Sequence, residues 1–339
     1  MKKRAIGRLI EAKGEVQLKR QNWPDYQPTT EGAELYSGDL LKPAPSAKAR
    51  IQYADGQTTW PVPAGEVSGV NQGCPPESSF ISESSDKTIG MRVGDAALSI
   101  PYIISPRQTL LLNPRPIIRW NKVDGAEGYA VSLVDDEGEL LWEVEVEETE
   151  ITYPEDKPSL ELGVDYLLIV ETETGKSSEE EKIPNRGFKL LDSEKTGLVQ
   201  EALEQLTAQD LTEEGESLAR AYLYKDYGLR AEAIETLENL AKKGSHLTGV
   251  YRTLGDLYWQ VGLNQWAELR YLRAFDLAKA IGDLEGQGLA ALGLGKTYDN
   301  LGNEEEALNW LAKATDKYSN LGEMETVKGL EELAAEISS

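Results

Sequence analysis

The sequence is poor in the side chains that most often carry chemistry. Among 339 residues there is one cysteine, Cys74, and one histidine, His246. A single cysteine excludes an intrachain disulfide. One of each leaves almost no route to a zinc site built on His and Cys, and a Ser-His-Asp triad would have to pass through His246. His246 sits in "KKGSHLTG" between two helical patterns, which predicts an exposed loop residue. Cys74, in "NQGCPP", has no basic neighbour in sequence to lower its pKa, which predicts a free loop thiol and not a nucleophile. Runs of 18 apolar residues are also missing, and the basic start "MKKRAIGRLI" lacks the apolar stretch of a signal peptide. The chain as written is therefore expected in the cytoplasm without a transmembrane segment. A misplaced start codon would make it periplasmic.

Positive charge is scarce as well. The net charge is −24, from 35 Lys+Arg against 59 Asp+Glu. Residues 1–75 carry +2, residues 111–190 carry −12 and residues 191–339 carry −13. So acidic a C-terminal half repels phosphate and argues against nucleic acid or an anionic lipid surface as partner. With 40% hydrophobic and 28% charged residues, the chain is otherwise that of an ordinary folded protein with room for two or three domains.

Residues 1–75 read as a small β domain. Val16 and Leu18 alternate, as do Ile51 and Tyr53, and Asp55-Gly56 then marks a hairpin before a second extended run. Prolines interrupt every would-be helix. A "GEV" strand, a "G-x-x-L-x-x-GD" element at Gly32 to Asp39, and a small-residue strand ending at Asp55-Gly56 follow in that order. Together they resemble the FecR-like β domain. That family is best known from transmembrane regulators of iron uptake, and similar modules occur in proteins unrelated to signalling. Asp39 and Asp55 read as turn residues. Residues 76–110 read as a linker and extended connector. "PPESSFISESSDKT" is rich in Ser, Glu and Pro, and "ALSIPYIISPRQTLLL" is an apolar extended segment broken by Pro101 and Pro106 that should lie against a neighbouring domain.

Residues 111–190 are strand after strand. Ile118 and Trp120 alternate, then Tyr129, Val131 and Leu133, then Leu140, Trp142, Val144 and Val146, with turns at Asp124-Gly125 and Glu137-Gly138. Short strands spaced by turns imply a β-sandwich. "P-x-I-x-W", "GA-x-x-Y-x-V-x-L" and "L-x-x-G-x-x-Y" resemble a fibronectin type III or immunoglobulin-like module, with Tyr166 as the candidate tyrosine corner. Glu143, Glu145 and Glu147 share one strand face, and a calcium-binding row is one reading. Calcium sites draw instead on turning loops that aim carbonyls inward, which favours a solvated face.

From residue 193 to 339 the period changes from 2 to about 3.6. "TLGDLYWQVGLNQWAELRYLRAF" overlies "GLGKTYDNLGNEEEALNWLAKAT" at an offset of 40: Leu254 on Leu294, Gly255 on Gly295, Tyr258 on Tyr298, Gly262 on Gly302, Ala267 on Ala307 and Ala274 on Ala314. Ala221, Tyr224, Gly228 and Ala233 form a weaker copy 34 residues before the middle one. This resembles the tetratricopeptide (TPR) repeat, with copies at 214–247, 248–287 and 288–327, a helix near 197–207 ahead of them and a capping helix behind. The resemblance implies an all-α superhelix following an all-β N-terminal half. It also implies a concave groove lined by Leu218, Tyr222, Lys225, Arg252, Asp256, Trp259, Leu292, Lys296 and Asp299. Two readings of these residues stand. They hold a protein or peptide partner, or some of them pack against the β module or a second copy of the chain.

"AALGLGKT" at 290–297 satisfies a relaxed phosphate-loop pattern. A phosphate loop needs a buried strand before it, and an amphipathic helical pattern stands there instead. In the repeat register Gly295 is a tight-packing position and Lys296 lies on an exposed face. No catalytic constellation, metal site or cofactor site is expected. The sequence reads as a non-enzymatic interaction scaffold or adaptor. The alternatives are a FecR-like regulator of signalling or transcription and an exported envelope- or carbohydrate-binding protein. The order of the modules resembles bacterial multidomain proteins of the cyanobacterial type.

Overall fold

The computed structural model describes residues 4–74, 99–181 and 186–339. The Ser/Glu/Pro-rich stretch expected as a linker over 75–88 lies outside the described residues. The N-terminal half is β-rich and the C-terminal region is all-helical.

Eight short strands build the first sandwich. β1 (Gly7–Lys13), β4 (Glu34–Leu35), β6 (Lys48–Tyr53) and β7 (Thr59–Val62) form one sheet in the order β4-β1-β6-β7. β2 (Val16–Lys19), β3 (Gln27–Pro28), β5 (Leu40–Pro43) and β8 (Ser68–Gly69) form the other, in the order β3-β2-β5-β8. Leu9, Leu18, Leu35, Leu41, Ile51 and Tyr53 fill the space between them. The β6–β7 hairpin turns at Asp55, whose Oδ1 accepts from the Gln57 and Thr58 amides at 3.0 and 2.9 Å. Asp39 likewise accepts from the Tyr36 amide within its turn, at 2.9 Å. Cys74 is half-buried against this core.

The second sandwich begins earlier than its alternating pattern. β9 (Ile103–Ser105) pairs with β11 (Ile117–Trp120), and β10 (Thr109–Leu111) runs parallel to β16 (Phe188–Leu190). The apolar segment around Pro101 and Pro106 thus supplies two strands, with the prolines outside the ladders they would interrupt. The sheets are β10-β16-β15-β12-β13 and β14-β11-β9, with β12 at Tyr129–Asp135, β13 at Leu140–Val146, β14 at Glu150–Thr152 and β15 at Tyr166–Thr172. Inside, Trp120 meets Tyr129 edge-on, and the Trp142 indole N–H donates to the Tyr153 hydroxyl at 2.9 Å. The Tyr166 hydroxyl accepts from the Glu161 amide five residues upstream, at 2.8 Å. Glu143, Glu145 and Glu147 are exposed, opposite buried Trp142.

Eight helices follow among the described residues: α1 (Ser193–Thr207), α2 (Glu213–Asp226), α3 (Arg230–Lys242), α4 (Thr248–Gln260), α5 (Asn264–Ile281), α6 (Leu284–Asn300), α7 (Glu304–Asn320) and α8 (Met324–Ile337). Asp192, Thr212, Asp283 and Asn303 cap four of them with side-chain oxygens. Each helix packs on the next in sequence, consistent with TPR-like repeats. The glycines shared by the repeats do two jobs. Gly262 and Gly302 take left-handed conformations, φ 79° and 76°, at the turns between paired helices. Gly255 and Gly295 lie inside helices where a partner crowds them: a Cβ on Gly255 would sit 2.6 Å from the Tyr271 ring, and one on Gly295 2.8 Å from Leu311. The extra length of the later repeats lies in α5, α6 and α7, at 18, 17 and 17 residues, against 13 in α4.

Candidate interaction surface

The β1-β6 sheet has two apolar demands. Its inner face forms the sandwich core, and its outer face lies on α2. Gln52, outward on β6, is therefore buried, and its Nε2 donates to the Ala219 carbonyl of α2 at 3.3 Å. On β1, Glu11 Oε1 accepts from the Thr212 amide at the α2 N-terminus, at 2.7 Å. That places a carboxylate where the helix dipole favours one.

Ionic contacts extend this seam along the first helix of each repeat. The Arg8 guanidinium grips Asp226 with two parallel bonds, 2.7 and 3.0 Å, and stacks 4.8 Å from the Tyr222 ring centre. Arg20 pairs with Glu285 at 2.6 Å, and the Trp23 indole donates to Glu323 at 3.0 Å. In the reverse direction, Arg252 of α4 donates to the Gly32 carbonyl at 3.0 Å and pairs with its own neighbour Asp256 at 2.9 Å. Between these, Gly32 and Gly249 bring the two backbones together. Bidentate, partly desolvated pairs of this kind are the strong class of charged hydrogen bond.

Burial shapes the protonation of this seam. Burial alone would raise the Glu34 carboxyl, but Arg252, Arg8 and Lys225 outweigh it and hold the pKa down at about 2. For Glu285 burial wins over Arg20, and the carboxyl is pushed up to about 7. Asp283 follows, raised to about 6 by burial despite the Gly286 amide it caps.

The nine expected groove residues divide by position. Leu218, Tyr222 and Arg252 are buried, Tyr222 and Arg252 directly beneath the first sandwich. Lys225 is half-buried and adds its charge beside Glu34. Asp256 is half-buried, and its second oxygen accepts from the Tyr271 hydroxyl at 2.8 Å. Trp259, Leu292, Lys296 and Asp299 are half-buried on α4 and α6, with the Lys296 ammonium 5.3 Å from the Trp259 ring centre. His246 is exposed, 3.4 Å from Arg273.

A second seam joins the other sandwich to the turns between paired helices. Arg107, 2% exposed, is its pivot. It donates to the Val261 carbonyl at 2.7 Å and forks onto Glu181 at 2.7 and 2.9 Å. Arg230 donates to the Gln108 carbonyl, Glu232 accepts from the Leu112 amide and the Trp266 indole donates to the Tyr102 hydroxyl. Sequence reasoning missed Arg8, Arg20, Arg107, Gly32 and Gly249. Two signals bore on three of them: the +2 charge of residues 1–75 against −13 in the helices on Arg8 and Arg20, and a glycine inside α4 that the repeat pattern does not call for on Gly249.

Among the described residues, no group of three or more His, Cys, Asp or Glu side chains is placed to hold a metal, and no helix is long and apolar enough to cross a membrane. No protein-family model matches the chain, and no curated protein does. Solved structures that resemble it include TPR-like repeats of a kinesin light chain from Podosopora anserina (19% identity, 42% of this chain and 89% of that one, TM-score 0.30). They also include MamA MSR-1 C2 (22% identity, 42% and 89%, TM-score 0.30) and BtubC (BKLC) from P. vanneervenii (17% identity, 42% and 71%, TM-score 0.28).

Proposed function

We propose that this chain is a non-enzymatic interaction scaffold. Its helical repeats hold two β-sandwiches in fixed relation, and a protein partner docks farther along the repeats, at Trp259, Leu292, Lys296 and Asp299. The observation that carries this reading is the division of the groove. Tyr222 of α2 and Arg252 of α4 are committed to the first sandwich, whereas Trp259, Leu292, Lys296 and Asp299 are half-buried on α4 and α6. They combine an aromatic face, an apolar side chain and charges of both signs, the mixture that suits a short protein segment. The FecR-like and fibronectin-like resemblances of the sandwiches fit the same reading, as modules presented by a helical frame.

The test is quantitative affinity capture with the full chain and with Trp259→Ala/Leu292→Ala, using mass spectrometry to compare the retained proteins. A partner that docks here is retained by the parent chain and lost with the double variant. An identical retained set from both chains would remove this surface as the docking site.

A further inference from the structure

The first sandwich is seated in the groove as a ligand would be, and its contacts describe what the groove recognises. Asp226 and Glu285 receive two arginines, 2.7 and 2.6 Å away. Arg252 reads a backbone carbonyl of the loop between β3 and β4. Gly249 gives that loop a bare stretch of helix: a Cβ there would stand 2.5 Å from the Glu31 carbonyl oxygen and 2.7 Å from Gly32 Cα. The three nearest atoms to that Cβ all belong to the sandwich. The complementarity extends to whole modules, since residues 1–75 carry +2 and residues 191–339 carry −13.

We propose that the α2/α4/α6 wall of the helical groove is a receptor surface for an arginine-bearing β-sandwich, filled in cis by the chain's own N-terminal module and able to take the same module from a second copy once the cis module is displaced. This rests on the reading of the groove as a binding surface. Any partner that reaches Tyr222 and Arg252 competes with the resident module, and must match it with cations opposite Asp226 and Glu285. The attraction between modules is long-ranged and screened by salt, so exchange is faster at high ionic strength.

Two full-length variants test this in a complementation experiment. Gly249→Leu wedges the sandwich off the groove and leaves its arginines available. Arg8→Glu/Arg20→Glu spoils the sandwich side and leaves the groove intact. Each alone should be a monomer with a larger radius of gyration than the parent by small-angle scattering. Mixed, they should form a one-to-one complex of twice the chain mass in sedimentation, and adding Asp226→Ala/Glu285→Ala to the open-groove chain should abolish it. If both variants expand but remain monomeric when mixed, the contact depends on the tether and the proposal fails. If neither expands, sandwich and repeats are one inseparable body and it fails as well. Circular dichroism monitors folding, and Arg8→Gln/Arg20→Gln replaces the charge reversal if that chain is unfolded. Capture through Trp259 and Leu292 is read separately, so loss of one reading leaves the other measurable.

Discussion

Gly32 and Gly249 meet backbone to backbone across the seam between the first sandwich and the helices: a Cβ on Gly32 would lie 2.4 Å from Gly249 Cα and 2.9 Å from the Tyr222 hydroxyl. Gly38 offers an internal control. Both glycines have φ of 91°, so alanine strains each backbone alike, but nothing lies within 4 Å of a Cβ on Gly38. Gly38→Ala should cost about 1–2 kcal/mol, the left-handed penalty alone. Gly32→Ala should cost about 1–3 kcal/mol more, the range for forcing atoms into a packed contact. Equal losses in urea denaturation would show that the seam does not depend on this approach.

Arg107 is the other anchor whose removal should be costly. Its guanidinium is buried, and without it Glu181 and the Val261 carbonyl lose their partner together. Arg107→Met is expected to lower stability by about 3–5 kcal/mol, as when one member of a buried pair is deleted. Lys243→Ala removes an exposed pair to Glu213 and should change stability by less than about 1 kcal/mol. Comparable effects in the two variants, measured by denaturant unfolding, would contradict the anchoring role.

The pH dependence should carry the mark of Glu285. Its carboxyl titrates at about 7 in the folded chain, against an ordinary value of 4.5. Between those values the folded chain holds a proton that the unfolded chain has released. Glu285 therefore makes stability fall as pH rises through this window and adds no slope above it. Asp283, raised from 3.8 to about 6, acts in the same direction over the lower part of the window. Glu34, held at about 2, acts oppositely and only below its ordinary 4.5. Glu285→Gln should shrink the drop in Tm between about pH 5 and about pH 8. An unchanged drop would mean that another group titrates there.

The Gly-Lys-Thr stretch separates packing from nucleotide chemistry. It lies inside the C-terminal half of α6, where helical bonding engages its amides, so they cannot cradle a phosphate. An ATP analogue should give no shift in Tm, and Lys296→Ala should leave that result unchanged. Gly295→Val should destabilise by about 1–3 kcal/mol through overpacking against Leu311, although valine suits a helix better than glycine. Micromolar binding of the analogue, lost in Lys296→Ala, would reverse this view.

The helices were the most legible part of the sequence, because close packing of paired helices demands small residues at a fixed spacing. The 40-residue offset pairs Gly255 with Gly295, and the structure crowds them with Tyr271 and Leu311. The repeat pattern starts the third copy at 288, whereas α6 begins at Leu284, since Asp283 caps the helix ahead of the pattern. Strand alternation identified the inward faces at Ile51 and Tyr53, and at Tyr129, Val131 and Leu133. It did not reveal that Gln52, on the outward face, is also buried, because alternation records which side meets a sheet's own core and not what covers the other side.

The sequence by itself determined the local periods: two β-rich parts, a helical repeat, turn glycines, and a charge that grows negative towards the C-terminus. Only the tertiary structure decided where those parts meet. Arg8 finds Asp226 across 218 residues, and Arg20 finds Glu285 across 265, pairings that no local pattern encodes. The physical reason is that burial in a helix or strand repeats with the period of the element, whereas contact between modules depends on the shape and charge of surfaces that exist only after each has folded.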